Sequence, residues 1–467
     1  MPLALPQGRD DCPRCAALEE RVRELEEESA QLRCRLAELE DRLRANSSNS
    51  STAPSSNPLW APRLKPRKPT GKKPGGQQGH QGHYRTLLPI EQVDVVVRHT
   101  PQRCSSCGGA LSEATLQLRW RHQVAELPPR AVIITEHQSY ACRCARCGQV
   151  TACPIPAPIA SRCTGARLDA ALCYLSAHVH GSRRAVEDVA REVLGLELSL
   201  GTVMQREREM SVALAQAYQQ VQQRVRQAAA KNVDETGWRR AGRWLWVAAT
   251  RREALFRIDR GRNWHGLQNL LGELVQGTVC SDRHGLYDRL KLSRRAVCWA
   301  HLQRDFQRWI DRGGDTRWLG DVGMEITDAI FALWRRFTHR RIVRGTLQRK
   351  LRPLRRRMRR LLQRGIRCGM TKAKHFCRNV LKVEAALWTF ARVQEIEPTN
   401  NHAERMLRCG VIWRKKCFGS HSAGGCRYAE RMLTMVQTLR LRKAAVLGFL
   451  TQALHAHRHT LPSPVLA

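Results

Sequence analysis

Acidic residues are scarce in this chain. Its 467 residues include 41 Asp and Glu against 80 Lys and Arg, which leaves a formal net charge of +39. Such an excess of one sign would repel itself unless a polyanion offset it, and phosphates that bind Lys and Arg release counterions. We therefore expect a nucleic-acid partner. The alternative is a generic basic protein such as a ribosomal one, but those chains are rarely this long.

Long apolar runs are also lacking. No stretch of about 18 consecutive apolar residues occurs, which argues against a helical membrane span. The first 15 residues, MPLALPQGRDDCPRC, hold no apolar core of the kind that a signal peptide needs. We expect a cytoplasmic protein with no membrane partner, whose 18 cysteines are thiols or metal ligands rather than disulfides.

The N-terminal residues 1–45 carry a heptad pattern. Its members step alternately by four and three positions: Leu18, Val22, Leu25, Ser29, Leu32, Leu36, Leu39 and Leu43. The 3.5-residue period favours a coiled coil, and hence self-association, over a single helix docked on a core. Residues 46–89 are rich in Ser and Asn and then basic, which predicts a linker that buries nothing. Its Lys and Arg residues either follow phosphates or only keep the chain soluble.

Two CxxC pairs, Cys104 with Cys107 and Cys144 with Cys147, are each followed by Gly. Gly can adopt the left-handed turn that lets amides face the thiolates, and four thiolates at this spacing suit tetrahedral Zn²⁺. Segments such as VDVVVRHT and RAVIITEHQSYAC predict small strands that bring the pairs together within residues 90–160. We predict a zinc-binding module, with unpaired knuckles as the alternative.

A candidate helix-turn-helix lies in residues 161–230, which look helical. The first helix covers Arg183–Leu194 and ends at Gly195, and the second begins near Ser199. The second helix is expected to present three residues outward: Gln205, Arg206 and Arg208. Arg and Gln are residue types that read base edges or hold phosphates in a major groove. Two helices joined by a Gly turn also occur as plain structure, so this region is either a DNA reader or a scaffold.

Two short strands are predicted to carry carboxylates. Val233–Arg239 reads as a strand that returns, after a turn, along Trp244–Thr250, and Asp234 inside it is costly to bury unless it binds something. Asp282 ends the short apolar run GTVCSD. Two carboxylates at neighbouring strand ends repel each other, so a divalent cation is their natural partner.

A third carboxylate, Glu404, lies in the segment PTNNHAERMLR. Pro398–Asn401 makes a good helix start, so Glu404 falls in the first turns of a helix and can face the strand ends. Two metal ions held by two Asp and one Glu can activate a water or a 3′-hydroxyl and stabilise the leaving oxygen. Taken alone, each of these acids is equally compatible with an ordinary surface charge.

At these residues the chain resembles the insertion-sequence-66 type of bacterial DDE transposases. The likeness runs in order over roughly residues 16–450. It comprises the heptads, the Ser/Asn linker, GGQQGHQGH, the CxxC pairs, VDETGW with WLWVAAT, CSDRHGLYDRL, CWAHLQRDF and PTNNHAERMLRCGVIWRKKCFGSHSAGG. The resemblance implies a multidomain α+β protein whose catalytic core is a ribonuclease H-like α/β fold. It also implies a helical insertion between the second and third acids.

The resemblance assigns roles to individual residues. It implies that Asp234, Asp282 and Glu404 are the catalytic acids and hold Mg²⁺ or Mn²⁺. It implies that structural Zn²⁺ has four cysteine ligands: Cys104, Cys107, Cys144 and Cys147. We expect the basic residues that follow the Glu to hold the DNA backbone, with a solvated basic face as the alternative: Arg405, Arg408, Arg414, Lys415 and Lys416.

The chain departs from the family at the second acid. Asp282-Arg283-His284-Gly285 stands where the family often has Asp-Gly-Tyr, and Asp288 is the alternative second acid. His301, in CWAH, has three readings. It either supports the metal ligands, binds phosphate or is a buried, hydrogen-bonded helix residue.

The predicted organisation has six parts. They are a coiled coil (1–45), a linker (46–89), a zinc-binding module (90–160), a helical DNA-binding region (161–230), a catalytic domain (231–440, with a helical insertion at 312–397) and a C-terminal helix and tail (441–467). We expect a homo-oligomeric transposase of the bacterial cytoplasm and nucleoid. It would bind the double-stranded ends of its element, cleave strands and join them to target DNA.

Accessory proteins of the same element are a further candidate partner. Three rival functions remain open at this point. They are DNA binding without catalysis, a nuclease of the same fold that cuts without joining, and RNA binding.

Overall fold

The computed structural model describes residues 13–50, 57, 86–112, 117–128, 131–147, 149–238 and 242–466. The chain divides into two compact units. The larger contains Met1–Pro62, His137–Glu192 and Leu196–Ala467, and the smaller contains Arg63–Glu136 and Val193–Gly195. Among the described residues, no helix is both long enough and apolar enough to cross a membrane.

The fold is mixed α/β. Its strands are β1 (Ala141–Arg143), β2 (Val150–Ala152), β3 (Ala230–Gly237), β4 (Arg243–Ala249), β5 (Ala254–Arg260), β6 (Thr278–Ser281) and β7 (Arg295–Val297). Strands β1 and β2 form an antiparallel pair. The other five form one sheet in the order β5-β4-β3-β6-β7, in which β3, β6 and β7 are parallel and β4 and β5 are antiparallel to their neighbours.

The described residues also form α-helices. The first nine are α1 (Pro13–Leu43), α2 (Ala157–Ala160), α3 (Ala166–Ala177), α4 (Arg183–Leu194), α5 (Leu200–Ala213), α6 (Ala215–Gln227), α7 (Trp264–Leu271), α8 (Trp299–Arg312) and α9 (Arg317–Thr338). They are followed by α10 (Arg344–Arg367), α11 (Thr371–Lys382), α12 (Glu384–Leu387), α13 (Thr389–Arg392), α14 (Asn401–Cys417), α15 (Ala423–Leu441) and α16 (Val446–Arg458). Short 3-10 helices cover Ile90–Gln92, Gly285–Arg289, Leu292–Arg294 and Gly314–Thr316.

The hairpin that carries the first acid forms as the sequence predicts. Strand β3 pairs with β4, and Asp234 lies opposite Val247. Gly242 has a φ of +63°, the left-handed conformation that a tight turn needs and that Gly adopts at little cost. Residues 239–241 of the predicted turn lie outside the described residues. Apolar side chains of β4, such as Leu245, are fully buried because helices cover the sheet.

Two hydrophobic cores share this sheet. The first packs β3, β4 and β5 against α3, α5, α6, α7 and α14 to α16. The second packs the β7 edge against the helices α8 to α13. The predicted helical segment 312–397 thus builds a core of its own while it remains attached to the sheet edge through residues such as Ala296 and Val297.

The N-terminal heptad segment is helical, as α1. Its seam residues are exposed, from 48% for Leu25 to 67% for Leu43. Such a continuous apolar stripe is what a partner helix covers in a coiled coil. The helix is therefore present in the single chain, and its pairing remains a prediction.

The predicted linker contains a docked turn. Asn46, Asn49 and Ser50 are buried, so the prediction that this segment buries nothing is wrong at these residues. The Asn49 side chain donates to Asp311 at 2.9 Å, and Arg308 donates to the Asn49 carbonyl at 3.0 Å. Amide and hydroxyl side chains satisfy the turn's own backbone groups, which lets a polar segment pack on α8. Residues 51–56 and 58–85 lie outside the described residues.

Of two strands that the alternating pattern predicts, the first does not form and the second forms only at its end, where Ala141 and Cys142 belong to β1. The segments 93–100 and 131–138 have no strand assignment over their described residues. Their apolar side chains face solvent, with Val95 74% and Ile133 96% exposed. Alternation stabilises a strand only where one face is covered, and in the part of the chain that the structure describes neither segment has such a cover.

Candidate active site

The first two predicted acids lie at matching positions on neighbouring strands. Strands β3 and β6 are parallel, with Asn232 paired to Cys280. Asp234 and Asp282 each lie two residues beyond that pair, so the register places them at the same level of the sheet. Side chains two residues apart on a strand point to the same face. The sequence pattern that suggested two carboxylates at neighbouring strand ends is thus matched by the fold.

The third acid reaches this edge because the turn before its helix is bonded to β3. The Asn400 side chain donates to the Val233 carbonyl at 2.8 Å and accepts from the Asn232 side chain at 3.0 Å. Glu404 lies in the first turn of α14, and its backbone N–H donates to the Asn400 carbonyl at 3.2 Å. These bonds hold the start of α14, and with it Glu404, beside the strand that carries Asp234.

The three acids interact electrostatically. Burial raises the pKa of Asp234 well above its usual value, and the charges of Glu235, Glu404 and Asp282 raise it further. Uncompensated carboxylates in one place favour a cation, because each disfavours the ionised form of the others. In the described structure the ligand atoms of Asp234, Asp282 and Glu404 do not all come within 4.8 Å of one another.

Sequence reasoning missed a second carboxylate network beside the acids. Arg262 donates to Glu235 at 2.6 Å and to Asp282 at 3.2 Å. The Tyr287 hydroxyl donates to the other Glu235 oxygen at 2.5 Å. The guanidinium of Arg262 also lies 5.4 Å from the centre of the Trp244 ring, within range of a cation–π interaction. Only the neighbouring Glu235 in VDETGW could have drawn attention to this network, because nothing in the sequence links Arg262 to it.

Glu404 is approached by two side chains of α8. Nδ1 of His301 lies 3.8 Å from its Oε1, and Nη2 of Arg304 lies 3.8 Å from its Oε2. Burial lowers the pKa of His301, and the charge of Arg304 lowers it further. Of the readings proposed for His301, its position beside Glu404 favours support of the acid.

The alternative second acid is engaged elsewhere. Asp288 accepts from Arg295 at 2.7 Å and from Lys382 at 3.1 Å. Burial tends to raise the pKa of Asp288, but the hydrogen bonds and charges of these two cations lower it overall. The two cationic side chains already neutralise the Asp288 carboxylate, which makes it a poor metal ligand. This pairing favours Asp282 over Asp288 as the second acid.

One of the three residues expected to face outward on α5 is buried. Arg206 is 4% exposed and donates to Glu209 at 3.0 Å, so its predicted outward position is wrong. It lies on the face of α5 that packs against α3, where Asp169 is also fully buried. Gln205 and Arg208 are exposed on the same helix, and Gly195 has the expected positive φ, +66°.

The basic residues of α14 also include both exposed and partly buried side chains. Four of them are exposed: Arg405, Arg408, Lys415 and Lys416. Arg414 is partly buried and donates to the carbonyl of Gly237 at the end of β3. Arg414 therefore ties α14 to the strand that carries Asp234, which is a different role from the backbone contact expected from the sequence.

Each cysteine pair forms a tight turn. In the first, the Gly108 N–H donates to the Cys104 carbonyl at 2.9 Å, and Gly108 has a φ of +72°. Backbone N–H groups of Cys107 and Ser106 lower the pKa of the Cys104 thiol. In the second, backbone N–H groups of Cys147 and Arg146 lower the pKa of the Cys144 thiol.

The donor chemistry fits both expected metals. Thiols whose turns direct amides at the sulfur favour the thiolate form that binds Zn²⁺. At the acidic edge, the Oε1 atom of Glu404 is buried and has no hydrogen-bond partner among the described residues. Buried carboxylate oxygens without donors are suited to a hard divalent cation such as Mg²⁺ or Mn²⁺.

Comparison with known families gives three matches. Residues 163–428, more than half of the chain, match the model described as Transposase IS66 family. Residues 101–148 match the zinc-finger binding domain of transposase IS66, and residues 6–86 match a family of unknown function (DUF6444). No curated protein matches the chain. The residues of the acidic edge and both cysteine pairs lie within the first two matched ranges.

Proposed function

The chain belongs to the IS66 family of transposases, and from that premise we propose that it cleaves DNA strands and joins them at the edge formed by Asp234, Asp282 and Glu404. One observation carries the proposal. Burial raises the pKa of Asp234, and the charges of Glu235, Glu404 and Asp282 raise it further, although the three proposed acids lie far apart in the chain. A fold that gathers repelling carboxylates in one place supports a site for cations.

The order of the strands supports a ribonuclease H-like core. Numbered from β3 as the first strand, the sheet runs third, second, first, fourth, fifth, with only the second antiparallel to the first. In this proposal the acids come from the first strand, the end of the fourth strand and a helix that follows the long helical insertion. The acids, and not the strand order alone, support the proposed activity, because one fold hosts many activities.

We propose that Asp234, Asp282 and Glu404 hold Mg²⁺ or Mn²⁺. Bound there, the ions would activate a water or a 3′-hydroxyl and stabilise the leaving oxygen. The chain's own residues arrange the site. Arg262 holds the Asp282 carboxylate through Oδ2, and the His284 backbone N–H holds it through Oδ1 at 2.9 Å. Asp282 is thus oriented before any ligand arrives.

DNA contact is proposed along α14. Arg405, Arg408, Lys415 and Lys416 are exposed on the helix that carries Glu404, so phosphates bound there would lie close to the acids. Gln205 and Arg208 on α5 are the candidates for contacts to the element ends. The four cysteines Cys104, Cys107, Cys144 and Cys147 are proposed to bind structural Zn²⁺ in the zinc-finger segment.

The assembly and location are proposed from the same family. The exposed seam of α1 supports a homo-oligomer through a coiled coil. A transposase that acts on bacterial DNA would work in the cytoplasm at the nucleoid. Accessory proteins of the same element remain candidate partners.

A strand-transfer assay tests the proposal. Purified protein is mixed with labelled element-end DNA and a target plasmid, with Mg²⁺ or with EDTA. We expect joined product that depends on the metal and disappears in Asp234→Asn and Glu404→Gln, while both variants still bind the DNA. Asp288→Asn is the matched control, because this nearby acid is paired with Arg295 and Lys382.

Full strand transfer by Glu404→Gln would contradict the assignment of the acids. Cleavage without joining would favour a nuclease, and binding without cleavage in any metal would favour a DNA-binding protein that needs a partner. Binding of RNA by the purified protein, without binding of DNA, would favour the RNA-binding alternative.

A further inference from the structure

A cluster of three different ligand types lies next to the proposed catalytic acids. Cys298 precedes the first residue of α8, His301 lies three residues later, and Glu404 faces them from α14. One potential ligand atom from each residue lies within 4.8 Å of the other two. Cys298 caps α8 from an extended conformation and His301 lies in the first turn, so the CWAH segment brings its thiol and imidazole to the same end of the helix.

Two atoms of this cluster are buried without a hydrogen-bond partner among the described residues. They are Nδ1 of His301 and Oε1 of Glu404. The two atoms are 3.8 Å apart, which is too long for a hydrogen bond. Buried polar atoms are nearly always paired, and an unpaired one is costly. Two such atoms that face each other across a gap indicate that a third group normally stands between them.

The sulfur of Cys298 is placed as an acceptor. The backbone N–H of Asn400 donates to its Sγ at 3.1 Å. Cys280, buried against the same turn, is oriented the other way, since its Sγ donates to the Thr399 carbonyl at 3.8 Å. A metal-bound thiolate has lone pairs and no proton, so it accepts hydrogen bonds. Cys298 therefore presents its sulfur as an acceptor, whereas Cys280 presents its own as a donor.

We propose that Cys298, His301 and Glu404 form a transition-metal site that takes Zn²⁺ or a cation of similar softness. Sulfur, imidazole nitrogen and carboxylate oxygen together are ligands that Zn²⁺ accepts, whereas Mg²⁺ does not bind thiolates. Three protein ligands leave a fourth position open. The site is separate from the cysteine pairs of the zinc-finger segment, and it shares Glu404 with the proposed catalytic acids.

The shared glutamate has a consequence that rests on the proposed function. A Zn²⁺ ion between Cys298 and His301 draws the Glu404 carboxylate towards α8 and away from Asp234. Zn²⁺ at this site would then inhibit strand cleavage that Mg²⁺ supports. Metal binding itself does not depend on the proposed reaction.

The test is a titration of the full-length chain with Co²⁺ in the absence of DNA. The protein is first stripped of metal and kept reduced, and the thiolate-to-cobalt absorption is recorded together with the number of ions bound. Wild type is compared with Cys298→Ser, His301→Gln and the matched control Cys280→Ser. The zinc-finger cysteines are identical in all four proteins, so their contribution cancels in the differences.

We expect Cys298→Ser and His301→Gln each to bind one Co²⁺ fewer than wild type, and Cys298→Ser to lose part of the thiolate absorption. Cys280→Ser should bind as wild type does. Equal stoichiometry in wild type and His301→Gln would overturn the proposal, as would an equal loss in Cys280→Ser. Thermal melting establishes that each variant is folded, and His301→Gln keeps the test decisive if Cys298→Ser does not fold.

The two proposals fail separately. If the protein joins DNA with Mg²⁺ but lacks this Co²⁺ site, the proposed function stands and the metal-site proposal is wrong. If the protein binds Co²⁺ through Cys298 and His301 but joins no DNA, the metal-site proposal stands and the proposed function is wrong.

Discussion

Two groups of buried and partly buried carboxylates in the described part of the chain differ in how far cations neutralise them. Between α3, α5 and α16, Asp169 and Glu209 meet three guanidinium groups, those of Arg162, Arg206 and Arg458. At the acidic edge of the sheet, four carboxylates meet two guanidinium groups. The carboxylates are Asp234, Glu235, Asp282 and Glu404, and the cations are Arg262 and Arg304.

The pKa values follow this difference. Burial alone would raise the pKa of Glu209, but Arg458 and Arg206 lower it to about 2. At the acidic edge, burial and neighbouring negative charge both raise the pKa of Asp234. Where guanidinium groups neutralise the acids, the acids stay ionised in spite of their burial. Where they do not, the same chemistry leaves a deficit of positive charge that a ligand can fill.

The largest expected effect comes from breaking the compensated group. Arg458→Met leaves Asp169 and Glu209 short of a partner in a buried place, so we expect the free energy of unfolding to fall by about 3–5 kcal/mol. Urea denaturation measures the change. Arg427→Met, on the exposed face of α15, is the control and should change stability by less than about 0.5 kcal/mol. A loss below about 1 kcal/mol in Arg458→Met would show that the network does not stabilise the fold.

A smaller effect is expected from the pH dependence of Glu209. Its folded pKa of about 2 lies below its usual value of 4.5, so its contribution is present above pH 4.5 and is lost as the pH falls towards 2. After allowance for solvent screening, we expect Glu209→Gln to cost about 1–2 kcal/mol near neutral pH. The gap between wild type and variant should shrink by more than half at pH 3. A gap that does not change with pH would contradict the assigned cause.

Replacing an acid at the acidic edge should change the stability of the protein in the opposite direction. Asp234→Asn removes a buried charge that is repelled by its neighbours, so in metal-free buffer we expect it to stabilise the protein by about 1 kcal/mol. Thermal melting with EDTA measures this. Destabilisation by Asp234→Asn under these conditions would show that the acids are compensated after all.

The smallest effect concerns DNA contact on α5. If Arg208 holds a phosphate, Arg208→Ala should weaken binding to element-end DNA by about 1 kcal/mol and lower the salt slope by about one. Arg206→Ala should instead lower the stability of the fold, because Arg206 is bonded to Glu209. A filter-binding series at several salt concentrations, with urea denaturation of both variants, separates the two roles.

Sequence patterns predicted the hairpin of β3 and β4, the positions of the acids in β3, just after β6 and in α14, and the helical segment 312–397. Those features depend on local patterning and on the order of the segments, which a sequence displays directly. The position of Arg206 was mispredicted because a long basic side chain on a helix can face either solvent or a buried acid. Arg206 faces the interior because Asp169, which lies 37 residues away in the chain, is buried beside it.

Other features had no local signal. The docking of Asn49 on Asp311 and the approach of Arg262 to Glu235 and Asp282 join segments that only the fold brings together. The strand predicted from VDVVVRHT does not form, and of RAVIITEHQSYAC only the last two residues belong to a strand, β1. Among the described residues, nothing covers one face of the remaining alternating pattern.

The central claim is that the uncompensated acids at the sheet edge bind a divalent cation. Mn²⁺ titration, followed by the electron paramagnetic resonance of the free ion, tests it most directly. The claim predicts saturable Mn²⁺ binding to wild type and to Asp288→Asn, and its loss in Asp234→Asn and Asp282→Asn. Equal Mn²⁺ binding by all four proteins would contradict it.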